Sequence, residues 1–408
     1  MIRRNPGFSN LTAGYLFPEI ARRRKAYLAA HPDAKLISLG IGDTTEPIPP
    51  HVDRRMAEYV QRLGTVEGYS GYGDEQGLTA LRERIAEVFY AGSVAAQEVF
   101  VSDGAKCDIG RLQLLFGRDV EVAVQDPSYP VYVDGSVIIG AAGPYEDGTS
   151  GGRPGYRGIR YLPCTAANGY FPDLEALPEN GLVYFCSPNN PTGAVATKAQ
   201  LAALVRAATA KGSLIVYDAA YAEFIRDPAL PRAIYEVEGA RACAIEVNSF
   251  SKTIGFTGVR LGWTVVPREL AYADGSSIHA DWNRVCTTVF NGACNVSQHG
   301  GLAALEAEGL AEMRTLTDFY LGNAALIRRA LEQLGITCIG GDNAPYIWAH
   351  FPGRSSWEVF AEILDHCHVV TTPGSGFGPA GEGFIRFSAF GHRENVIEAC
   401  RRLERLGA

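Results

Sequence analysis

Short apolar runs alternate with longer amphipathic stretches through the middle of the chain. Val99–Val101, Val120–Val124, Leu182–Cys186, Leu214–Tyr217 and Ala242–Val247 each read as a strand without polar alternation. Strands covered on both faces of a parallel sheet have that pattern. Thr197 and Gln200 stand at capping-box spacing and open a helix that Gly212 closes. The alternation predicts an α/β fold whose large domain is a mostly parallel sheet covered by helices. After about residue 296 the pattern changes. Helical segments at Gln298–Leu310 and Glu312–Gln333 precede strands near Tyr346–Phe351 and Phe384–Phe387, and a helix spans Glu394–Leu406. The expected organisation is an N-terminal arm (1–45) packing with a smaller α+β domain (296–408), around a large domain (46–295). The glycine-rich stretch Gly140–Tyr161, with Pro144 and Pro154, predicts an exposed loop. No internal repeat or long disordered linker is read.

Composition narrows the function. A formal net charge of −8 leaves no basic excess to neutralise nucleic-acid phosphates. No apolar run reaches the length of a membrane span, and Met1–Pro6 lacks the apolar core of a signal peptide. The nine cysteines are scattered, odd in number and without a C-x-x-C, which predicts reduced thiols in a cytoplasmic protein. His366-Cys367-His368 reads as alternating positions on a strand running into Val369-Val370, so its side chains diverge and no metal site is expected. Gly374-Ser375-Gly376-Phe377-Gly378 reads as a turn between strands rather than a dinucleotide loop.

The candidate chemistry gathers at strand ends. Tyr129, Asn190, Asp218 and Lys252 each fall just beyond an apolar run, at the edge where open α/β sheets bind ligands. Lys252 is one of only six lysines among 37 basic residues. An amine condenses with an aldehyde, which an arginine does not do under ordinary conditions. A pyridoxal phosphate site needs that amine, a carboxylate on the pyridine nitrogen, donors to the phenolic oxygen and a phosphate cradle. Asp218 suits the ring nitrogen, and Asn190 and Tyr221 suit the phenolic oxygen. Ser249, Ser251 and Arg260 suit the phosphate, as do the free N–H groups where Ser102–Lys106 opens a helix at Ala105 and Lys106. Tyr129 suits a stack on the ring. Arg386 suits bidentate capture of a substrate carboxylate. Taken singly, Asp218 also fits a helix cap, Asn190 a turn, Arg260 an ion pair and Tyr129 the core.

Asn190-Pro191-Thr192-Gly193, Tyr217-Asp218-Ala219-Ala220-Tyr221, Ser249-Phe250-Ser251-Lys252 and Arg386 resemble the fold-type I pyridoxal phosphate aminotransferases of class I/II. Leu11–Phe17, Leu39–Thr45, Gly71–Gly77, Phe290–Ala293 and Val369–Pro379 narrow the resemblance to the LL-diaminopimelate aminotransferase group, over nearly the whole chain. The resemblance implies transamination between LL-2,6-diaminopimelate and 2-oxoglutarate, giving glutamate and tetrahydrodipicolinate, with the reverse direction serving lysine biosynthesis. It implies a homodimer with shared active sites. Tyr15, Gly42, Lys106, Tyr129, Asn190, Asn291 and Arg386 would touch substrate, Asn291 also cofactor. Tyr72 and Glu75 would reach in from the partner, Tyr72 to the cofactor and Glu75 to the substrate. The cofactor residues leave open another class I/II aminotransferase, for aromatic or aspartate-like substrates, or a carbon–sulfur lyase. A ligand-sensing transcription regulator would need a basic helix-turn-helix segment, and none is read.

Overall fold

The computed structural model describes residues 1–12, 16–148 and 154–407. Seven strands form the large sheet, side by side in the order Val99–Ser102, Gly262–Val265, Ala244–Ser249, Leu214–Asp218, Leu182–Cys186, Val122–Asp126, Ile159–Pro163. Gly262–Val265 runs antiparallel to both its neighbours. The other six share one direction, so their carboxyl ends lie along one edge. The lack of strict apolar–polar alternation has a simple cause. Ala123, Val183, Phe185, Ile215 and Tyr217 enter the core on one face. Val122, Val124, Leu182, Tyr184 and Val216 enter the core on the other. With both faces covered, every position gains from being apolar, at about 1.5–3 kcal/mol for a large side chain.

A second, four-stranded sheet runs Cys338–Gly340, Tyr346–His350, Phe384–Ser388, Thr372–Pro373, all antiparallel. Arg386 lies between Trp348 and Thr372 in its register. The helix Leu16–Ala30 buries Leu16, Ile20 and Tyr27 in the same core as Trp348, Phe360 and Phe387. Ile37–Ser38 pairs in parallel with Val369–Val370. This carries the chain at Gly40–Gly42 towards the edge where the large-sheet strands end. Among the described residues no helix is long and apolar enough to cross a membrane.

Three expectations are corrected. Gly140–Tyr161 is not simply an exposed loop. Tyr145–Glu146 and Gly155–Tyr156 pair as a hairpin, and Ile159 begins the edge strand of the large sheet. Tyr156 is buried, and its hydroxyl accepts from the Thr12 N–H at 3.0 Å. His366 and Cys367 end a helix, Ser356–Cys367, rather than lying on a strand. Val359, Phe360, Ile363, Leu364 and Cys367 are its buried stripe, a 3.6-residue period that the adjacent valines obscured. His368 caps the helix in the left-handed region at φ 54° and bonds Tyr27 Oη through Nδ1 at 2.9 Å. The helix break expected near Ala311 falls at Leu305–Glu306, between Asn295–Ala304 and Ala307–Gln333. Glu306 leaves the helix there to meet His51 Nε2 at 2.8 Å.

Candidate active site

The common edge of the large sheet opens into a cleft of about 310 Å³. Its walls carry four cationic side chains, Lys106, Lys252, Arg260 and Arg386, against two carboxylates, Asp43 and Asp218. The excess favours a ligand with several negative charges. Lys252 lies three residues past the Ala244–Ser249 strand, half-buried, and its Nζ donates to the Gly42 carbonyl. Desolvation lowers its pKa to about 8. Arg386 and Arg260 push the same way, and Asp43 opposes them.

Asp218 ends its strand and is buried. Its Oδ2 accepts from Tyr132 Oη at 2.7 Å and its Oδ1 from the Ala220 N–H at 3.0 Å. Burial raises its pKa above the usual carboxylate range, while those two donors pull it back. A buried carboxylate with two donors is primed for a cationic N–H partner. Tyr221 Oη lies 2.8 Å from Tyr346 Oη. Asn190 Oδ1 accepts from Arg386 Nη1 at 2.7 Å, which leaves the Asn190 amide nitrogen as a donor.

Across the cleft, Ser251 N–H donates to Ser249 Oγ at 3.0 Å, and Ser249 Oγ to Ser251 Oγ at 2.9 Å. Arg260 holds a left-handed φ of 68°, and its Nη1 donates to the Thr257 carbonyl at 3.0 Å. Facing them is the start of the helix Ala105–Phe116. Gly104, at φ 122°, precedes it, and a Cβ there would collide with the Arg260 guanidinium. Helix N–H groups, two hydroxyls and an arginine with glycine clearance make an anion cradle.

Arg386 is buried between Tyr346 and Phe377, 4.5 and 4.8 Å from their ring centroids. Its Nη2 donates to the Gly40 carbonyl at 2.5 Å, and its Nε is buried without a hydrogen-bond partner. A buried guanidinium with an unmet N–H calls for an acceptor such as a carboxylate. Gly42 has no side chain for a local reason. A Cβ there would meet Tyr346 Oη.

The cleft thus brings together Gly42, Ala105, Lys106, Tyr129, Asn190, Asp218, Tyr221, Ser249, Ser251, Lys252, Arg260 and Arg386. Asn291, expected in its own chain's cleft, lies outside it, as do Tyr72 and Glu75, which were expected to serve a partner's cleft. All three are exposed. Tyr15 lies outside the described residues. Sequence reading missed Tyr346, Tyr132, Cys186 and Thr257. The first three sit in apolar runs where they look like core, and Thr257 had only its place between Lys252 and Arg260 to mark it.

A family model described as aminotransferase class I and II matches residues 34–146 and 155–403. The chain is 57% identical over 406 residues to a probable chloroplastic LL-diaminopimelate aminotransferase of Oryza sativa subsp. japonica, covering 99% of this chain and 86% of that protein. It is 56% identical over 406 residues to the chloroplastic LL-diaminopimelate aminotransferase of Arabidopsis thaliana, covering 99% and 87%. The solved L,L-diaminopimelate aminotransferase of Chlamydomonas reinhardtii superimposes with a TM-score of 0.95 at 57% identity, over 100% of this chain and 99% of that one. These relatives correct the expectation of a cytoplasmic protein, because both plant proteins are chloroplastic.

Proposed function

The chain belongs to the class I and II aminotransferases, and on that premise we infer that it transfers an amino group between LL-2,6-diaminopimelate and 2-oxoglutarate. The products are glutamate and a keto compound that cyclises to tetrahydrodipicolinate, and the reverse direction serves lysine biosynthesis. The observation that carries this reading is the near-full-length likeness to plant and algal LL-diaminopimelate aminotransferases, in fold as well as sequence.

Class I and II aminotransferases use pyridoxal 5′-phosphate. The cleft suits it, with an anion cradle, a buried carboxylate and a half-buried amine among its lining residues. When bound, the cofactor supplies an aldehyde for the amino group and a ring that takes up the electron pair left as the α-C–H bond breaks. The residues divide the remaining work. Ser249, Ser251, Arg260 and the N–H groups of Ala105 and Lys106 hold the phosphate. Asp218 holds the ring-nitrogen proton, Tyr129 covers the ring face, and Tyr221 and Asn190 donate towards the phenolic oxygen. Arg386 grips the α-carboxylate and so aims the α-hydrogen at Lys252. Lys252 Nζ removes the proton from the substrate α-carbon as general base. A pKa of about 8 leaves an appreciable neutral fraction near neutral pH.

Selectivity involves a second copy of the chain. Val66, Tyr69 and Tyr72 are 91%, 72% and 89% exposed, in one segment between two helices. Tyr72, Glu75 and Asn291 share that side of the molecule, since Asn295 Nδ2 donates to the Gly71 carbonyl at 3.1 Å and Gly292 lies against Asp74. Apolar exposure on this scale is a usual mark of an interface. A homodimer would bury it and bring these residues to the partner's cleft, with Glu75 facing the distal ammonium of diaminopimelate.

A panel of LL- and meso-diaminopimelate, aspartate, aromatic amino acids and cystathionine, each with 2-oxoglutarate, tests the reading. LL-diaminopimelate is expected to be the preferred donor. A protein inert to it but active on another donor refutes the assignment.

A further inference from the structure

We propose that Tyr132 is a positioning residue for the reaction, holding the Asp218 carboxylate charged and aimed at the cofactor ring while bracing Tyr129; the proposal rests on the aminotransferase reading above. Nothing in the motifs marks Tyr132. It is the second residue of the helix Val131–Ile139, within a run of apolar neighbours. The fold nevertheless seats it against a buried carboxylate of the cleft. Its side chain is fully buried, and its hydroxyl donates to Asp218 Oδ2 at 2.7 Å. Asp218 Oδ1 is taken by the Ala220 N–H at 3.0 Å. The two donors occupy one lone pair on each oxygen and fix the carboxylate plane. The remaining lone pairs can face the cleft.

The ring of Tyr132 has its own supports. It stacks on Tyr184 with centroids 5.0 Å apart and planes 9° from parallel. It meets Tyr129 edge-on, 5.8 Å away at 87°. One buried phenol therefore touches both residues assigned to the ring, the carboxylate on its nitrogen and the aromatic on its face. Neither contact needs substrate, so the arrangement is in place before substrate binds.

The hydroxyl acts through charge. Burial alone drives Asp218 towards its neutral form, and a donated hydrogen bond favours the ionised one. The titratable groups near this carboxylate are Tyr132, Cys186 and Tyr346. Tyr132 is the one that donates to it. Without that donor the carboxylate holds the ring-nitrogen proton less firmly. A less protonated ring would withdraw fewer electrons, so Lys252 Nζ, when joined to the cofactor's aldehyde carbon, would be more basic.

The test uses the cofactor-loaded enzyme with whichever amino donor the wild type turns over. Tyr132→Phe should lower kcat about tenfold or more with each half-reaction's KM within about threefold. The pH midpoint of the bound cofactor's visible absorbance should rise by about 0.5 unit or more, the sign set by the weaker ring charge. Tyr184→Phe, which removes a buried hydroxyl not bonded to Asp218, should move neither. Asp218→Asn combined with Tyr132→Phe should be no slower than Asp218→Asn alone, because the hydroxyl works through that carboxylate. If Tyr132→Phe does not fold, 3-fluorotyrosine at position 132 keeps the ring and strengthens the donor, and the midpoint should fall instead. An unmoved midpoint in the folded Phe or fluorotyrosine protein overturns the proposal, as does an equal shift in Tyr184→Phe. Inertness of the wild type to diaminopimelate would defeat the substrate assignment alone, because the ring-nitrogen contact is common to every amino donor.

Discussion

At the scale of single residues, the cleft separates charge from nucleophilicity. Lys252 is surrounded by walls and cations that make its ammonium form costly, and its pKa falls to about 8. A depressed lysine pKa means that the amine is neutral above that value and protonated below it. Cofactor-free enzyme mixed with pyridoxal phosphate should therefore form the lysine-linked absorbance band at a rate that rises with pH and is half-maximal near pH 8. A stopped-flow profile still climbing steeply above pH 10 would show an ordinary lysine. Lys252→Ala should lose this band and turnover, and Lys252→Arg should restore neither, since a guanidinium supplies charge without a usable amine. Asp218 poses the opposite question. Asp218→Asn keeps the side-chain volume but cannot balance a protonated ring nitrogen. Its turnover should fall more than tenfold, over ~1.4 kcal/mol in barrier, with circular dichroism unchanged. Turnover within about threefold of wild type would remove Asp218 from the role.

At the scale of elements, the cleft is made by strand ends and one helix start, and each part has a sequence cause. Asp218 terminates its strand, while Tyr129, Asn190 and Lys252 follow theirs by three or four residues. The helix Ala105–Phe116 presents its first N–H groups because Gly104 admits Arg260 beside them. Gly104→Ala should strain a backbone held at φ 122° and push the guanidinium from the cradle. Pyridoxal phosphate affinity in absorbance titrations should weaken about tenfold or more, by analogy with losing one charge-assisted contact. Unchanged affinity would place the phosphate elsewhere. This part of the fold was legible because strands buried on both faces are mostly apolar without strict alternation, and reactive residues just after them stand out. The Leu182–Cys186 strand and the Thr197 cap needed no tertiary information. Tyr346 and Tyr132 were not legible, because a buried tyrosine in an apolar run looks the same whether its hydroxyl meets a neighbour or a ligand. The His366–His368 stretch failed for a related reason. The strand Val369–Val370 starts directly after the helix end, so its apolar pattern reads back into His366–His368, and only the stripe back to Val359 gives the true period.

At the scale of the whole molecule, one chain gathers the groups assigned to the cofactor and the α-carboxylate but leaves Glu75 outside. That division predicts which subunit supplies the group that distinguishes diaminopimelate from glutamate. If Glu75 meets the distal ammonium in a desolvated site, Glu75→Gln should lower kcat/KM for LL-diaminopimelate by roughly 2–5 kcal/mol, the range for truncating one member of a buried charge pair. The glutamate half-reaction should suffer much less, because glutamate has no second ammonium. Equal losses on both substrates would make Glu75 structural. Mixing two inactive proteins then locates its target. In a hybrid of Lys252→Ala with Glu75→Gln, one site combines both defects. The other pairs an intact Lys252 with an intact Glu75 from the opposite chain. Random reassociation as twofold dimers should restore about a quarter of wild-type diaminopimelate activity. If Glu75 served its own subunit's cleft, no hybrid site would be whole and mixing would restore nothing. Sedimentation of the wild type supplies the companion measurement. A monomer at working concentrations would leave Val66, Tyr69 and Tyr72 exposed in the active species and remove the basis for a shared site.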